Sequence, residues 1–259
     1  MTANALPRAL LAEATGTFAL VFAGCGAIMV EAKTGALGQV GIAITFGLVI
    51  MAMIYAVGHI SGAHFNPAVT FAFALSRHFP WQRLATYWAA QLTGAIAAAA
   101  MLRASLGDLA DVGATVPSGS AGQAFVWELV LSFFLMFVIM AVATDTRAVG
   151  EAAAIAIGGT VGLDAMFGGP ITGASMNPAR SLGPALIAPS STRSGSTCSR
   201  RSSEPLSQPS PTRRSRASTP TRMKPRQHET RSRSHRPSRR SSTGLIDYGR
   251  ALFRPPRPR

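Results

Sequence analysis

Five stretches of this chain, 9–30, 36–58, 84–102, 121–144 and 152–171, are apolar over close to 20 residues each, and among them only Glu13, Glu128 and Asp164 carry charge. About 20 apolar residues of helix cross the roughly 30 Å hydrocarbon layer of a bilayer. Backbone in lipid has no water to bond to, so such a segment must satisfy itself as a helix. The sequence therefore predicts an all-α, multi-pass membrane protein in contact with the lipid bilayer. Gly and Ala recur in all five runs, which suits close helix approach in a tight bundle. The first run is not read as a cleaved signal peptide, because four more runs follow it.

Charge is distributed to match. Residues 1–188 hold 7 Lys/Arg and 8 Asp/Glu, too few to coat a soluble globule, whereas residues 189–259 hold 18 Lys/Arg and 3 Asp/Glu. The formal net charge of +14 thus belongs to the C-terminal stretch, and no nucleic-acid binding is expected of residues 1–188. Two cysteines, Cys25 and Cys198, exclude a disulfide framework or a multi-cysteine metal site. No Ser/His/Asp, Cys/His or phosphate-loop arrangement is visible, so no catalytic residue, metal or cofactor is expected and the chain is not read as an enzyme.

Basic residues set the expected orientation. Arg8, the pair Arg77 and Arg83, and Arg147 fall in regions that alternate onto one side of the membrane. The other side carries Lys33 with Glu31, and Arg103 followed by Asp108 and Asp111. The bias puts the N-terminus in the cytoplasm.

Two short segments break the pattern of simple spans. Each is a Gly-rich stretch, then Asn-Pro-Ala, then a brief apolar piece: Asn66-Pro67-Ala68 leading into 68–75, and Asn177-Pro178-Ala179 leading into 181–188. Proline suits the first helical turn, where its missing N–H has no partner to lose. Asparagine is a good cap just before it. Each motif therefore predicts a helix of about 8–11 residues, ~12–16 Å long and half a membrane deep. The arrangement also repeats: Glu13 precedes Asn66, and Glu128 precedes Asn177, by similar intervals. An odd number of spans separates the units, so the second is inverted. Inverted repeats with Gly/Pro-interrupted segments at matching places point to a transport path at the midplane.

The phrase His59-Ile60-Ser61-Gly62-Ala63-His64-Phe65-Asn66-Pro67-Ala68-Val69-Thr70 and the run Asn177-Pro178-Ala179-Arg180-Ser181 closely resemble the aquaporin, or major intrinsic protein, family. The resemblance covers about residues 8–188. The run Gly173–Ser181 is similar to nodulin-like intrinsic proteins and related bacterial channels. The resemblance implies an inverted-repeat bundle of six spans, with two half-helices meeting at the bilayer centre. It implies that Asn66 and Asn177 donate to a passing solute, and that the loop backbone at Gly62, Ala63, His64, Phe65, Gly173, Ala174, Ser175 and Met176 lines the pore. Glu13 and Glu128 would brace those loops. A selectivity filter would consist of Phe46, Ala165, Ala174 and Arg180. Water-selective members have histidine where this chain has Ala165, so a wider opening is expected. The implied activity is a passive channel for water and small uncharged solutes, such as glycerol, urea, or arsenous or boric acid, which excludes protons and ions. A homotetramer in the plasma or inner membrane is the implied setting.

The family pattern stops abruptly after Ala188. Residues 189–259 contain 16 Ser, 10 Pro, 17 Arg and 1 Lys, a composition expected to be disordered. The sequence reads as a channel domain over 1–188 and an Arg/Ser/Pro-rich tail over 189–259. The sixth span is expected to be missing, since no apolar run of sufficient length follows. Two origins remain open for the tail, a basic extension that binds anionic lipid or nucleic acid, and a shifted reading frame. The alternative function is accordingly a non-conducting membrane protein with a basic, recruiting tail.

Overall fold

The computed structural model describes residues 5–144 and 152–189, all within one compact unit. Residues 190–259, Arg147, and the expectations placed on them lie outside the described residues. In chain order the elements are α1 (Ala5–Thr34), α2 (Gly38–Ser61), the half-length α3 (Pro67–Leu75), a 3-10 turn (Trp81–Arg83) leading into α4 (Leu84–Leu106), a one-turn α5 (Ala110–Gly113), α6 (Ala121–Thr144), α7 (Ala153–Thr172) and the half-length α8 (Pro178–Ile187). Every described element is helical. Five helices, those beginning at Ala5, Gly38, Trp81, Ala121 and Ala153, are long and apolar enough to cross a membrane. They coincide with the five apolar runs, and each reaches one to four residues beyond its run at one end or both, apart from the one beginning at Ala121.

Glycine sets how closely the helices cross. α2 and α7 meet at Gly47 and Gly158, where a Cβ on Gly158 would lie 2.6 Å from the Gly47 carbonyl oxygen. α1 and α4 meet at Gly94, where a Cβ would lie 2.2 Å from the Ala14 carbonyl oxygen. Lipid offers apolar side chains no advantage from helix contact, so such backbone-to-backbone packing and its dispersion energy hold the bundle. Two glycines on α1 make room for rings instead. Gly16 faces the Phe65 ring and Gly24 the Phe46 ring, each close enough to exclude a methyl group.

The turn from α1 to α2 is closed by a charge. Glu31 Oε2 accepts the backbone N–H groups of Leu37 (2.7 Å) and Gly38 (2.8 Å). A carboxylate there satisfies orphan donors at the start of α2 and favours the positive end of its dipole.

α5 contradicts local propensity. Ala110, Asp111 and Val112 all have left-handed backbone angles (φ 45, 49 and 57°), a conformation that costs roughly 1–2 kcal/mol per non-glycine residue. Burial of Val112 and the tight seating of Gly113 against Cys25 hold it in place.

Candidate functional site

The two half-helices begin as their motifs predict. Asn66 caps α3, its Oδ1 accepting the Ala68 N–H at 2.8 Å. Asn177 caps α8, its Oδ1 accepting the N–H groups of Ala179 (3.0 Å) and Arg180 (3.3 Å). The loops before them share one backbone trace. α2 ends on Gly62 at φ 90° and α7 on Gly173 at φ 88°, each returning its N–H to the carbonyl four residues back. Ala63 and Phe65, then Ala174 and Met176, follow with φ between 41 and 52°. Alternating left-handed residues turn successive peptide units in opposite senses, and such strain persists only when the surroundings over-determine it.

Two carboxylates supply that constraint. Glu13 accepts the N–H of His64 on Oε1 (2.9 Å) and of Phe65 on Oε2 (2.7 Å). Glu128 accepts the N–H of Ser175 on Oε1 (2.9 Å) and of Met176 on Oε2 (2.8 Å). Hydroxyls finish the work. Ser61 accepts the Ala63 N–H, and Thr172 accepts the Ala174 N–H while donating to Glu128. The loop N–H groups are thereby committed away from the cavity that the same residues line.

At the centre the halves bond crosswise. The Asn66 amide donates to the Met176 carbonyl at 2.8 Å, and the Asn177 amide donates to the Phe65 carbonyl at 2.9 Å. An amide nitrogen carries two hydrogens, so one on each asparagine remains for whatever occupies the cavity. That cavity is bounded by both asparagines, the paired loops, and apolar side chains of α2, α6 and α7 including Ile50, Leu135 and Val161.

Phe46, Ala165, Ala174 and Arg180 all line this cavity and are all buried. The Arg180 guanidinium sits 5.2 Å from the centre of the Phe46 ring, within the range of a cation–π contact. Its Nη1 donates to the Gly113 carbonyl at 3.1 Å, whereas Nε and Nη2 are buried with no partner among the described residues. A buried cation with two open donors attracts acceptor oxygens and repels cations. The strained α5 turn thus has a local consequence, since it delivers the carbonyl that orients Arg180. The Ala165 carbonyl is in turn fixed by the Gln39 amide at 2.7 Å.

Several supporting residues were not singled out from the sequence. Gln91 on α4 is fully buried and its amide bridges Glu13 Oε2 (2.8 Å) and Thr70 Oγ1 (2.9 Å). Tyr87 donates to the Ser61 carbonyl, and Trp88 to the Pro67 carbonyl. His64 lines the cavity, yet its ring also packs against Phe73, Phe79 and Tyr87 and bonds Thr70 through Nδ1. Asp164 on α7 is 2% exposed, and its Oδ2 has no partner among the described residues. Nothing in the structure explains that atom.

The sequence model of the major intrinsic protein family matches residues 1–193. The chain is similar to Aquaporin NIP1-4 of Oryza sativa subsp. japonica, 56% identical over 179 residues, covering 69% of this chain and 66% of that protein. It is similar to Nodulin-26 of Glycine max, 55% identical over 180 residues, covering 69% of this chain and 66% of that protein. The chain thus spans slightly less than two thirds of the length of these curated relatives. Among solved structures it is similar to the aquaglyceroporin from Plasmodium falciparum, with a TM-score of 0.62 and 28% identity over 70% of this chain and 81% of that one.

Proposed function

The chain belongs to the major intrinsic protein family, and from that premise we propose that it forms a passive transmembrane channel for water and small uncharged solutes. The observation that carries the reading is the crosswise junction of Asn66 and Asn177 inside a cavity that also holds Arg180. Water or a hydroxyl solute accepts from the free amide hydrogens and donates to loop carbonyls, so it loses little on leaving bulk water. A cation or hydronium meets Arg180 and the positive ends of two half-helices, each worth roughly half a charge. Small Ala165 and Ala174 beside Phe46 leave a broad, partly apolar opening, which favours glycerol, urea and metalloid hydroxides such as arsenous or boric acid. No group in this reading performs chemistry on the solute.

The setting follows from the same features. Arg8 lies near the start of α1, and Arg77 and Arg83 lie between α3 and α4, which supports a cytoplasmic N-terminus in the plasma or inner membrane. A homotetramer fits the apolar outer faces, where Phe125, Phe133 and Phe137 of α6 are exposed. Residues 1–188 form the channel domain in this reading.

The test is stopped-flow light scattering on proteoliposomes of the full chain. Water, glycerol and boric acid are expected to cross faster than in empty vesicles, with no added proton leak. Vesicles indistinguishable from empty ones overturn the channel reading, and water flux without solute flux overturns the broad opening.

A further inference from the structure

The half-helix α3 starts at the crosswise junction, which fixes how deep its far end lies. Asn66 marks the middle of the bilayer in the channel reading, on which this depth rests. Ser76, the C-cap of α3, follows it by ten positions. At 1.5 Å per residue that run spans about 15 Å, half of the roughly 30 Å hydrocarbon layer. Phe71 therefore lies among acyl chains and Arg77 at the level of lipid phosphates. The turn Trp81–Arg83 opens α4 at that same level.

Charge at this corner is of one sign, for residues 32–107 contain no Asp or Glu. α3 ends in a left-handed step at Arg77, φ 64°. Glycine would take that step without strain, so the arginine stands there at a conformational cost. The backbone N–H groups of Arg77, His78 and Phe79 fold back onto the carbonyls of Ala74 and Phe73. The Arg77 side chain is left exposed, with no partner among the described residues. Arg83 follows at the start of α4, and the alternation of spans brings the exposed Arg8 to the same face of the membrane. The opposite face differs, since Arg103 is paired there with Asp108 at 2.6 Å.

Below the charge stands an aromatic wall. The Phe71 ring meets Trp81 edge-on, centroids 5.8 Å apart, and so joins α3 to the turn. Leu75 is 66% exposed, Trp81 51% and Phe71 43%. Trp88 on α4 is exposed too, but its indole N–H is spent on the Pro67 carbonyl at 3.0 Å, so it offers only an apolar ring. We propose that this corner between α3 and α4 binds an anionic phospholipid, its phosphate on Arg77 and its acyl chain along Phe71, Leu75 and Trp81. The guanidinium fork suits two phosphate oxygens. A zwitterionic lipid brings its own ammonium into an all-positive corner and gains less. Free phosphate gains nothing from the wall. An acidic peptide could reach Arg77, but its backbone could not follow the wall into hydrocarbon without losing its hydrogen bonds.

The experiment uses the full chain in phosphatidylcholine vesicles doped with a photoactivatable lipid, either phosphatidylglycerol or phosphatidylcholine, each with a diazirine in the same acyl chain. Adducts are mapped by mass spectrometry. Phosphatidylglycerol is expected to label residues 71–88 in clear excess over phosphatidylcholine. Arg77→Gln is expected to lower that yield about fivefold, the worth of one arginine at an anionic surface. Lys33→Gln, on the opposite face, is expected to leave it unchanged. Inorganic phosphate is expected not to displace the lipid. Equal labelling by the two lipids overturns the proposal and points to a soluble acidic partner for the corner. A yield indifferent to Arg77→Gln, or lost on adding phosphate, overturns it as well. The comparison of two lipids leaves the protein unaltered, so it decides even where a variant does not fold. The readout is a cross-link rather than a flux, so its failure leaves the channel reading standing.

Discussion

Asn66 donates its side-chain amide to the Met176 carbonyl at 2.8 Å, across the boundary between the two repeats. Its counterpart Asn177 returns the same bond to Phe65 at 2.9 Å. Each asparagine therefore starts a helix through Oδ1 and ties the opposite loop through one amide hydrogen, which leaves its second hydrogen free at the cavity that it lines.

Asn66→Asp and Asn177→Asp keep the cap acceptor and remove both hydrogens, adding negative charge at the junction. Water permeability per protein in stopped-flow assays is expected to fall about tenfold or more, the effect of losing 1.4 kcal/mol or more at the barrier. Wild-type flux in either variant would contradict the role assigned to the junction.

Ala165→His tests the breadth of the opening. The Ala165 carbonyl is already held by Gln39, so the change adds an imidazole beside Phe46 and Arg180 without moving the backbone. Glycerol permeability is expected to drop about tenfold while water changes less, since pore diameter and lining donors set selectivity. Equal losses for both solutes would count against a steric filter here.

Gln91→Leu and Glu13→Ala separate two layers of support for the first loop. Loss of the Gln91 amide is expected to cost about 1–3 kcal/mol, the penalty of leaving buried partners unpaired. Loss of the Glu13 carboxylate strips the acceptor from two loop N–H groups and from Gln91, and is expected to cost more, several kcal/mol in a membrane setting. Thermal unfolding in detergent ranks them, and a Gln91 variant less stable than the Glu13 variant would reverse the argument.

Gly158→Ala places a methyl group 2.6 Å from the Gly47 carbonyl oxygen and 2.8 Å from Met51 Cβ. Backbone cannot yield as a side-chain tip can, so α2 and α7 must part. A destabilisation of about 1–3 kcal/mol is expected from overpacking. Gly159→Ala, which meets nothing within 4 Å, is the control and is expected to unfold at the wild-type temperature.

What could be read from the sequence was whatever lipid enforces on a single segment. Length and lack of charge marked the five long helices, because unsatisfied backbone in hydrocarbon is intolerable wherever it occurs. Asn-Pro-Ala marked α3 and α8, because capping chemistry is local. Gln91 was not legible, because its importance depends on which face of α4 meets α1, a fact about two helices together. The α5 turn was hidden more deeply. Val112 at φ 57° defies its own β-branched preference, and only burial beside Cys25 and the link from Gly113 to Arg180 make it worthwhile. Asp164 is legible only as a charge within an apolar run, and its Oδ2 has no partner among the described residues.

The reciprocal straps at the midplane also dictate an order of assembly. Phe65 O and Met176 O lie on loops separated by more than a hundred residues of chain, and neither asparagine can complete its bonding until the other loop has entered the bilayer. A nascent chain halted anywhere before Met176 therefore holds a plug half made, with Asn66 facing an empty socket. The crosswise junction closes only when α8 stands opposite α3.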